Sequence, residues 1–235
     1  MLTWFRRPLP RPDATVRLVC FPHAGGSASF YRWLADLDPG VEVLLVQYPG
    51  RENRIAEPMP ETMGALVDAV VAALPPGPVA VFGHSMGASV AYEVARRVPV
   101  RALVVSGQPA PRWHRSGVVP DASDADVLAA IRRLGGTASA VLDDPDLREM
   151  VVDVMGGDLR LLRTYTPTPA EPPLEVPVRA LAGASDPAAP PEQVADWRTV
   201  TTGPFDLTTL PGGHFSLVEH AAAVRAEILA ALRTA

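Results

Sequence analysis

Lysine is absent from the 235-residue chain, cysteine occurs once, and aromatic residues make up only 6%. All 21 basic residues are therefore arginine, set against 26 acidic ones for a net charge of −5. No basic surplus remains to neutralise phosphates along a nucleic acid, so nucleic-acid binding is not expected. The missing lysine is read as coding bias and carries no function. A lone Cys20 cannot close an internal disulfide, and its place in an apolar run marks it as a core thiol. No apolar run approaches the ~18 residues of a membrane span. The N-terminal residues 1–8 have no long apolar stretch after Arg6 and Arg7, so no export leader is expected and the expected location is the cytoplasm. Gly 18 and Pro 26 fall short of the glycine and proline content of low-complexity chains.

What is present is the composition of a globular protein, 48% hydrophobic and 20% charged, at a length that suits a single domain over residues 1–235. Short apolar runs bounded by Pro, Gly or Asp alternate with helical patterns, which predicts an α/β protein with a mostly parallel sheet and flanking helices. Six core strands are expected, at 16–21, 41–47, 79–82, 102–106, 178–182 and 205–210. The first five are almost continuously apolar, as strands covered on both faces must be. The last alternates and belongs near an edge.

Met63, Leu66, Val67, Val70, Val71 and Leu74 recur at helical spacing behind Thr62, a possible cap. Val90 and Val94 continue one face of a helix after Ser85, with Arg96 and Arg97 in its last turn, where positive charge suits the dipole. Residues 217–232 predict a closing amphipathic helix. Between about 113 and 173 the alternation fails, because two helical patterns follow each other without a strand. This is an expected insertion, with a capping-box-like start at Ser123 to Asp126, a stop at Leu134-Gly135-Gly136 and a second helix over 146–165. Residues 4–7, with Trp4 and Phe5 beside Arg6 and Arg7, read as a packed terminal strap.

Gly83-His84-Ser85-Met86-Gly87 follows an apolar strand and opens a helix, the context required of a G-x-S-x-G nucleophile elbow. A serine on such a turn sits in a strained backbone, and its neighbours two residues away must lack side chains. Serine is a weak nucleophile at neutral pH, so a base must take its proton and a carboxylate must orient that base. His214 follows the last strand, where a loop would bring it to Ser85; His84, His114 and His220 read as structural. Asp186, on a turn after a buried strand, supplies the acid in the chain order Ser, Asp, His of hydrolases built on this elbow. Asp196, Asp206 and Glu219 read as solvated carboxylates. The oxyanion hole is expected from the N–H of Met86 and one N–H of the Gly-rich loop after the first strand, assigned to Ala24. Gly25-Gly26 lacks the G-x-G-x-x-G spacing of a dinucleotide loop.

Phe21-Pro22-His23-Ala24-Gly25-Gly26, Tyr48-Pro49-Gly50-Arg51, Gly83-His84-Ser85-Met86-Gly87, Arg133-Leu134-Gly135-Gly136-Thr137 and Gly212-Gly213-His214-Phe215 together resemble the type II thioesterases that accompany polyketide synthases and nonribosomal peptide synthetases. The elbow is shared by many hydrolases, whereas the Pro-His-Ala-Gly-Gly loop and the Tyr-Pro-Gly-Arg turn are more selective. The resemblance implies an α/β-hydrolase fold with the insertion as a helical lid, and a triad of Ser85, Asp186 and His214. It implies hydrolysis of acyl groups from the phosphopantetheine arm of acyl or peptidyl carrier proteins, with no cofactor and no metal of the enzyme's own and no membrane partner. An acidic carrier would need a locally basic surface, for which Arg51, Arg54, Arg112 and Arg115 are candidates. Two departures bear on acyl-chain preference: Ser216 stands where the family often has a second aromatic, and the segment 153–158, with Gly156-Gly157, replaces a usual Leu, Arg and Ala pattern. The alternatives are an esterase or acyltransferase on the same triad, or a catalytically silent hydrolase fold acting as a binding partner.

Overall fold

The computed structural model describes residues 4–114, 123–135 and 143–234. Seven strands form one sheet among these residues: β1 (Phe5–Arg6), β2 (Val16–Phe21), β3 (Val41–Val46), β4 (Val79–His84), β5 (Leu103–Ser106), β6 (Val178–Gly183) and β7 (Phe205–Leu210), in spatial order β1-β3-β2-β4-β5-β6-β7. All neighbours are parallel except β1, which pairs antiparallel with β3 through Phe5 opposite Val46. The six expected strands are all present. The terminal strap adds the seventh, too short to show a period in sequence. β4 runs two residues past its expected end, so His84 belongs to the strand and the turn begins at Ser85. β7 is an edge strand with a half-exposed face, as its alternation requires.

The pleat explains the continuous apolarity of the inner strands, since successive residues bury on opposite faces. In β2, Val19 and Phe21 join one core with Leu44, Val46, Leu66, Val70 and Val90, while Leu18 and Cys20 join the other with Leu45, Phe82, Leu34 and Ile228. The first core is closed by α1 (Met63–Ala73) and α2 (Met86–Ala95), and the second by α7 (Ala221–Arg233). Thr62 caps α1, its hydroxyl accepting from Ala65 N at 3.1 Å. α2 is buried along its whole length and stops at Ala95, so Arg96 is its C-cap and Arg97 lies beyond the last turn.

The two inserted helices, α3 (Asp124–Leu134) and α4 (Pro145–Thr164), lie between β5 and β6, with no strand between them among the described residues. α3 carries the expected capping box between Ser123 and Asp126, and α4 is capped by Asp144 ahead of Pro145. Gly135 takes φ +76 at the end of α3; Gly136 and Thr137 lie outside the described residues. The closing helix differs from expectation. It is broken into α6 (Ser216–Glu219) and α7 by His220, whose backbone leaves the helical region at φ −111, ψ 36 and whose Nε2 pairs with the Pro211 carbonyl at 3.1 Å. α5 (Pro191–Ala195) precedes β7.

Candidate active site

Ser85, Asp186 and His214 sit on turns that follow β4, β6 and β7, at the carboxyl edge of the parallel sheet where α/β proteins place their ligands. Ser85 has φ 54 and ψ −123, one of two non-glycine residues with positive φ among those described. That conformation is held by β4 on one side, by α2 on the other, and by the Ser85 N–H donating to Ser106 O at 2.8 Å. The glycines around it are obligatory on steric grounds. A Cβ on Gly83 would collide with the Gly87 carbonyl, and one on Gly87 with the Phe21 carbonyl of β2. Gly183 serves the second turn in the same way, since a Cβ there would strike the Gly213 carbonyl beside His214.

Asp186 and His214 are both buried and joined by a 2.7 Å hydrogen bond from Nδ1 to Oδ2. The other carboxylate oxygen accepts from Ala188 N at 2.9 Å, which fixes the acid in its turn. With Nδ1 committed to Asp186, Nε2 is the nitrogen left for a proton from serine. Ser85 and His214 line the same small cavity of about 100 Å³, together with His23, Ala24, Gly25, Met155 and Phe215. No hydrogen bond joins the Ser85 hydroxyl to His214 here, so of the two expected links only that between acid and base is formed.

The second half of the site is the loop after β2. Its turn is closed by Gly26 N donating to His23 O at 2.9 Å, and Gly25 takes φ +76. Gly25 N donates instead to the inserted helix α4, reaching Asp158 Oδ2 at 2.7 Å. The N–H groups of Ala24 and Met86 have no acceptor among the described residues, and Met86 opens α2, whose dipole favours negative charge there.

His23, in the cavity wall, packs against the ring of His84 behind it at 5.8 Å, and His84 lies 4.8 Å from His214. Burial pushes the His23 pKa down to about 3, with smaller contributions from the neighbouring His214 and from the Arg51 guanidinium. His84 is likewise held well below its ordinary value by burial and by His214, with Nδ1 3.1 Å from the Ser106 carbonyl. Both rings are therefore neutral neighbours of the base, and His84 packs as the sequence suggested. His114 is also structural, pairing with Tyr165 O at 3.0 Å. Cys20 is fully buried, which pushes its thiol far above the ordinary range.

Three expectations are corrected. Arg51 is buried and cannot belong to a docking surface. Its guanidinium forms a two-pronged pair with Asp158 at 2.7 and 2.8 Å and donates to Gly26 O at 2.9 Å. Arg54 is buried too, stacked 4.2 Å over Trp4 and paired with Glu57 at 2.6 Å, because the turn folds inward under the terminal strap. Asp196 is not a solvated carboxylate. It accepts from Trp113 Nε1 at 2.8 Å and anchors the start of the insertion. Arg112 is exposed, and Arg115 lies outside the described residues. Asp158 was not anticipated, because its partner Arg51 stands 107 residues away. The selective Tyr-Pro-Gly-Arg turn was the available signal for that link.

The family model of the thioesterase domain matches residues 16–232. The chain belongs to the thioesterase domain family. The thioesterase is 47% identical over 225 residues to "Thioesterase PikA5" of Streptomyces venezuelae, a match covering 91% of this chain and 80% of that protein. Among solved structures it superposes on the type II thioesterase BorB, from the borrelidin biosynthetic cluster, with a TM-score of 0.88 and 42% identity over 97% of each chain. It superposes on YbtT, a type II thioesterase of the yersiniabactin pathway, with a TM-score of 0.84 and 25% identity over 98% of each chain. The α/β-hydrolase fold is thus shared with these enzymes. Among the described residues no helix of the thioesterase is long and apolar enough to cross a membrane.

Proposed function

We propose that this thioesterase hydrolyses acyl groups from the phosphopantetheine arm of acyl or peptidyl carrier proteins, clearing stalled or mis-primed polyketide or nonribosomal peptide assembly lines in the cytoplasm. The observation that carries the mechanism is the buried His214–Asp186 pair facing the cavity that Ser85 also lines. His214 Nε2 takes the Ser85 proton as Oγ attacks the thioester carbonyl. The tetrahedral oxyanion is held by the N–H groups of Met86 and Ala24. The imidazolium stands against the Asp186 carboxylate and is spared a second cation by the neutral His23 and His84. As the intermediate collapses the pantetheine thiol leaves with the proton, and a water deprotonated by His214 then attacks the acyl-enzyme to release the acid. A thiol of pKa ~8.5 is a better leaving group than an amine, so modest acid catalysis suffices. The chemistry uses no cofactor or metal of the enzyme's own; the phosphopantetheine belongs to the carrier.

The lid sets the access. Ile131 and Leu134 of α3 with Val151 and Met155 of α4 roof the cavity, giving the acyl chain an apolar wall. At about 100 Å³ the space is well below the ~300 Å³ at which ligand pockets begin, so an acyl chain has to push the roofing side chains aside while α4 stays seated. An esterase or acyltransferase on the same triad would show a preference for oxygen esters, or for transfer to an added thiol or alcohol, in product analysis. The test is turnover of an acyl-carrier thioester by Ser85→Ala. The variant is expected to lose acyl-enzyme formation altogether, and hydrolysis at the native rate would reject the assignment.

A further inference from the structure

The Tyr48-Pro49-Gly50-Arg51 turn has no part in the triad, yet its arginine is among the most completely bonded side chains near the site. Arg51 donates from Nε to Pro49 O at 3.2 Å, from Nη1 to Gly26 O at 2.9 Å, and from Nη1 and Nη2 to the two oxygens of Asp158. Asp158 belongs to lid helix α4 and is fully buried. Its Oδ2 accepts a second donor, the backbone N–H of Gly25 at 2.7 Å. A carboxylate on the lid and a guanidinium on the body thus grip one stretch of backbone, residues 25 and 26.

That stretch adjoins Ala24, whose N–H is left free for the oxyanion. The Gly26–His23 bond fixes the peptide before Ala24, and the Asp158–Gly25 bond fixes the peptide after it. With both planes held, the Ala24 N–H has one direction. Gly25, at φ +76, belongs to the residue type freest to flip, and without the Asp158 bond a flip of the Ala24–Gly25 peptide would open the Gly26–His23 turn that aims the Ala24 N–H. We infer that Asp158 is a positioning residue for the oxyanion hole, which ties the seating of α4 to the readiness of the Ala24 amide. Arg51 holds the carboxylate in the buried position where it can do this. The lid then does more than roof the cavity: the hole is complete when α4 is seated and slackens when α4 lifts. This inference rests on the proposed role of Ala24 in the oxyanion hole.

Two double variants separate the hydrogen bond from the charge pair. Asp158→Asn with Arg51→Met removes both charges but leaves an amide oxygen for Gly25 N–H. Asp158→Leu with Arg51→Met removes both charges and the acceptor. Turnover of a short acyl thioester of N-acetylcysteamine is measured per active serine. The Asn variant is expected to keep kcat within about tenfold of the native enzyme. The Leu variant should lose about 10²- to 10³-fold in kcat, the cost of a lost oxyanion donor, while KM moves less than about threefold because ground-state binding is untouched. Equal kcat in the two doubles, or a loss confined to KM, would overturn the inference. Should the Leu variant fail to fold, amide exchange on the native enzyme decides. Gly25 N–H protected as strongly as the amides of α4 around Asp158 supports the link, and loop-like exchange of Gly25 refutes it. Ser85→Ala, run alongside, separates this outcome from failure of the hydrolase reading itself.

Discussion

His23 and His84 are placed where a charge would be costly, and this makes them a liability in acid. Both have their pKa lowered in the folded state, His23 to about 3, chiefly because burial disfavours the cation. The unfolded chain binds those protons below about pH 6.5 and the native one does not, so stability falls as pH drops from there towards the folded values. Each such histidine contributes a slope of about 1.4 kcal/mol per pH unit where only the unfolded form is protonated. His114, lowered by burial, acts in the same direction. Carboxylates such as Asp36, held low by its hydrogen bond from Arg225, add to the loss only in more acidic solution. Urea midpoints should therefore fall between about pH 7 and about pH 5.5, and His23→Gln should flatten the dependence by about one proton. A midpoint that does not change over that interval would contradict the burial of neutral rings. Cys20 should stay unmodified by thiol reagents until the protein unfolds, as its full burial requires.

The elements that place the chemistry were legible because their causes are local. The apolar runs of β2 to β6, the Thr62 cap and the capping box at Ser123 each need only a few consecutive residues to be recognised. The elbow was legible for the same reason, and the structure adds the atoms that enforce it. Gly87→Ala should be severely damaging, since its Cβ would meet the carbonyl of Phe21, the last residue of β2, a backbone atom that cannot step aside. A loss of several °C in Tm with loss of most activity is expected, at a cost of about 1–3 kcal/mol for the forced backbone shift. A native melt for Gly87→Ala would show that α2 does not pack against β2 as described. What local pattern could not show was the break at His220, where the side chain bonds back to the Pro211 carbonyl, nor β1, whose two residues pair with β3.

Across the whole molecule, side chains of the described part of the insertion pair with residues remote in sequence. Trp113 donates to Asp196, Tyr165 donates to Glu93 at 2.8 Å, and between them Asp158 is locked to Arg51. The outer two stand at the ends of the insertion and the third at the active-site loop, so α4 can shift as a unit only by giving up the pair that grips residues 25 and 26. None of these pairings follows from spacing along the chain. Arg51 and Arg54 were consequently expected on the surface, although a buried arginine with a full set of acceptors is stable where an unpaired one would not be. The convergence of Ser85, Asp186 and His214 was foreseeable because each follows a parallel strand, and the ends of such strands share an edge. Covalent labelling with a fluorophosphonate, mapped by peptide mass, tests that convergence most directly. A single adduct is expected on Ser85, its rate of formation falling by orders of magnitude in His214→Ala; a label on any other residue, or undiminished labelling of Ser85 in that variant, would contradict the convergence.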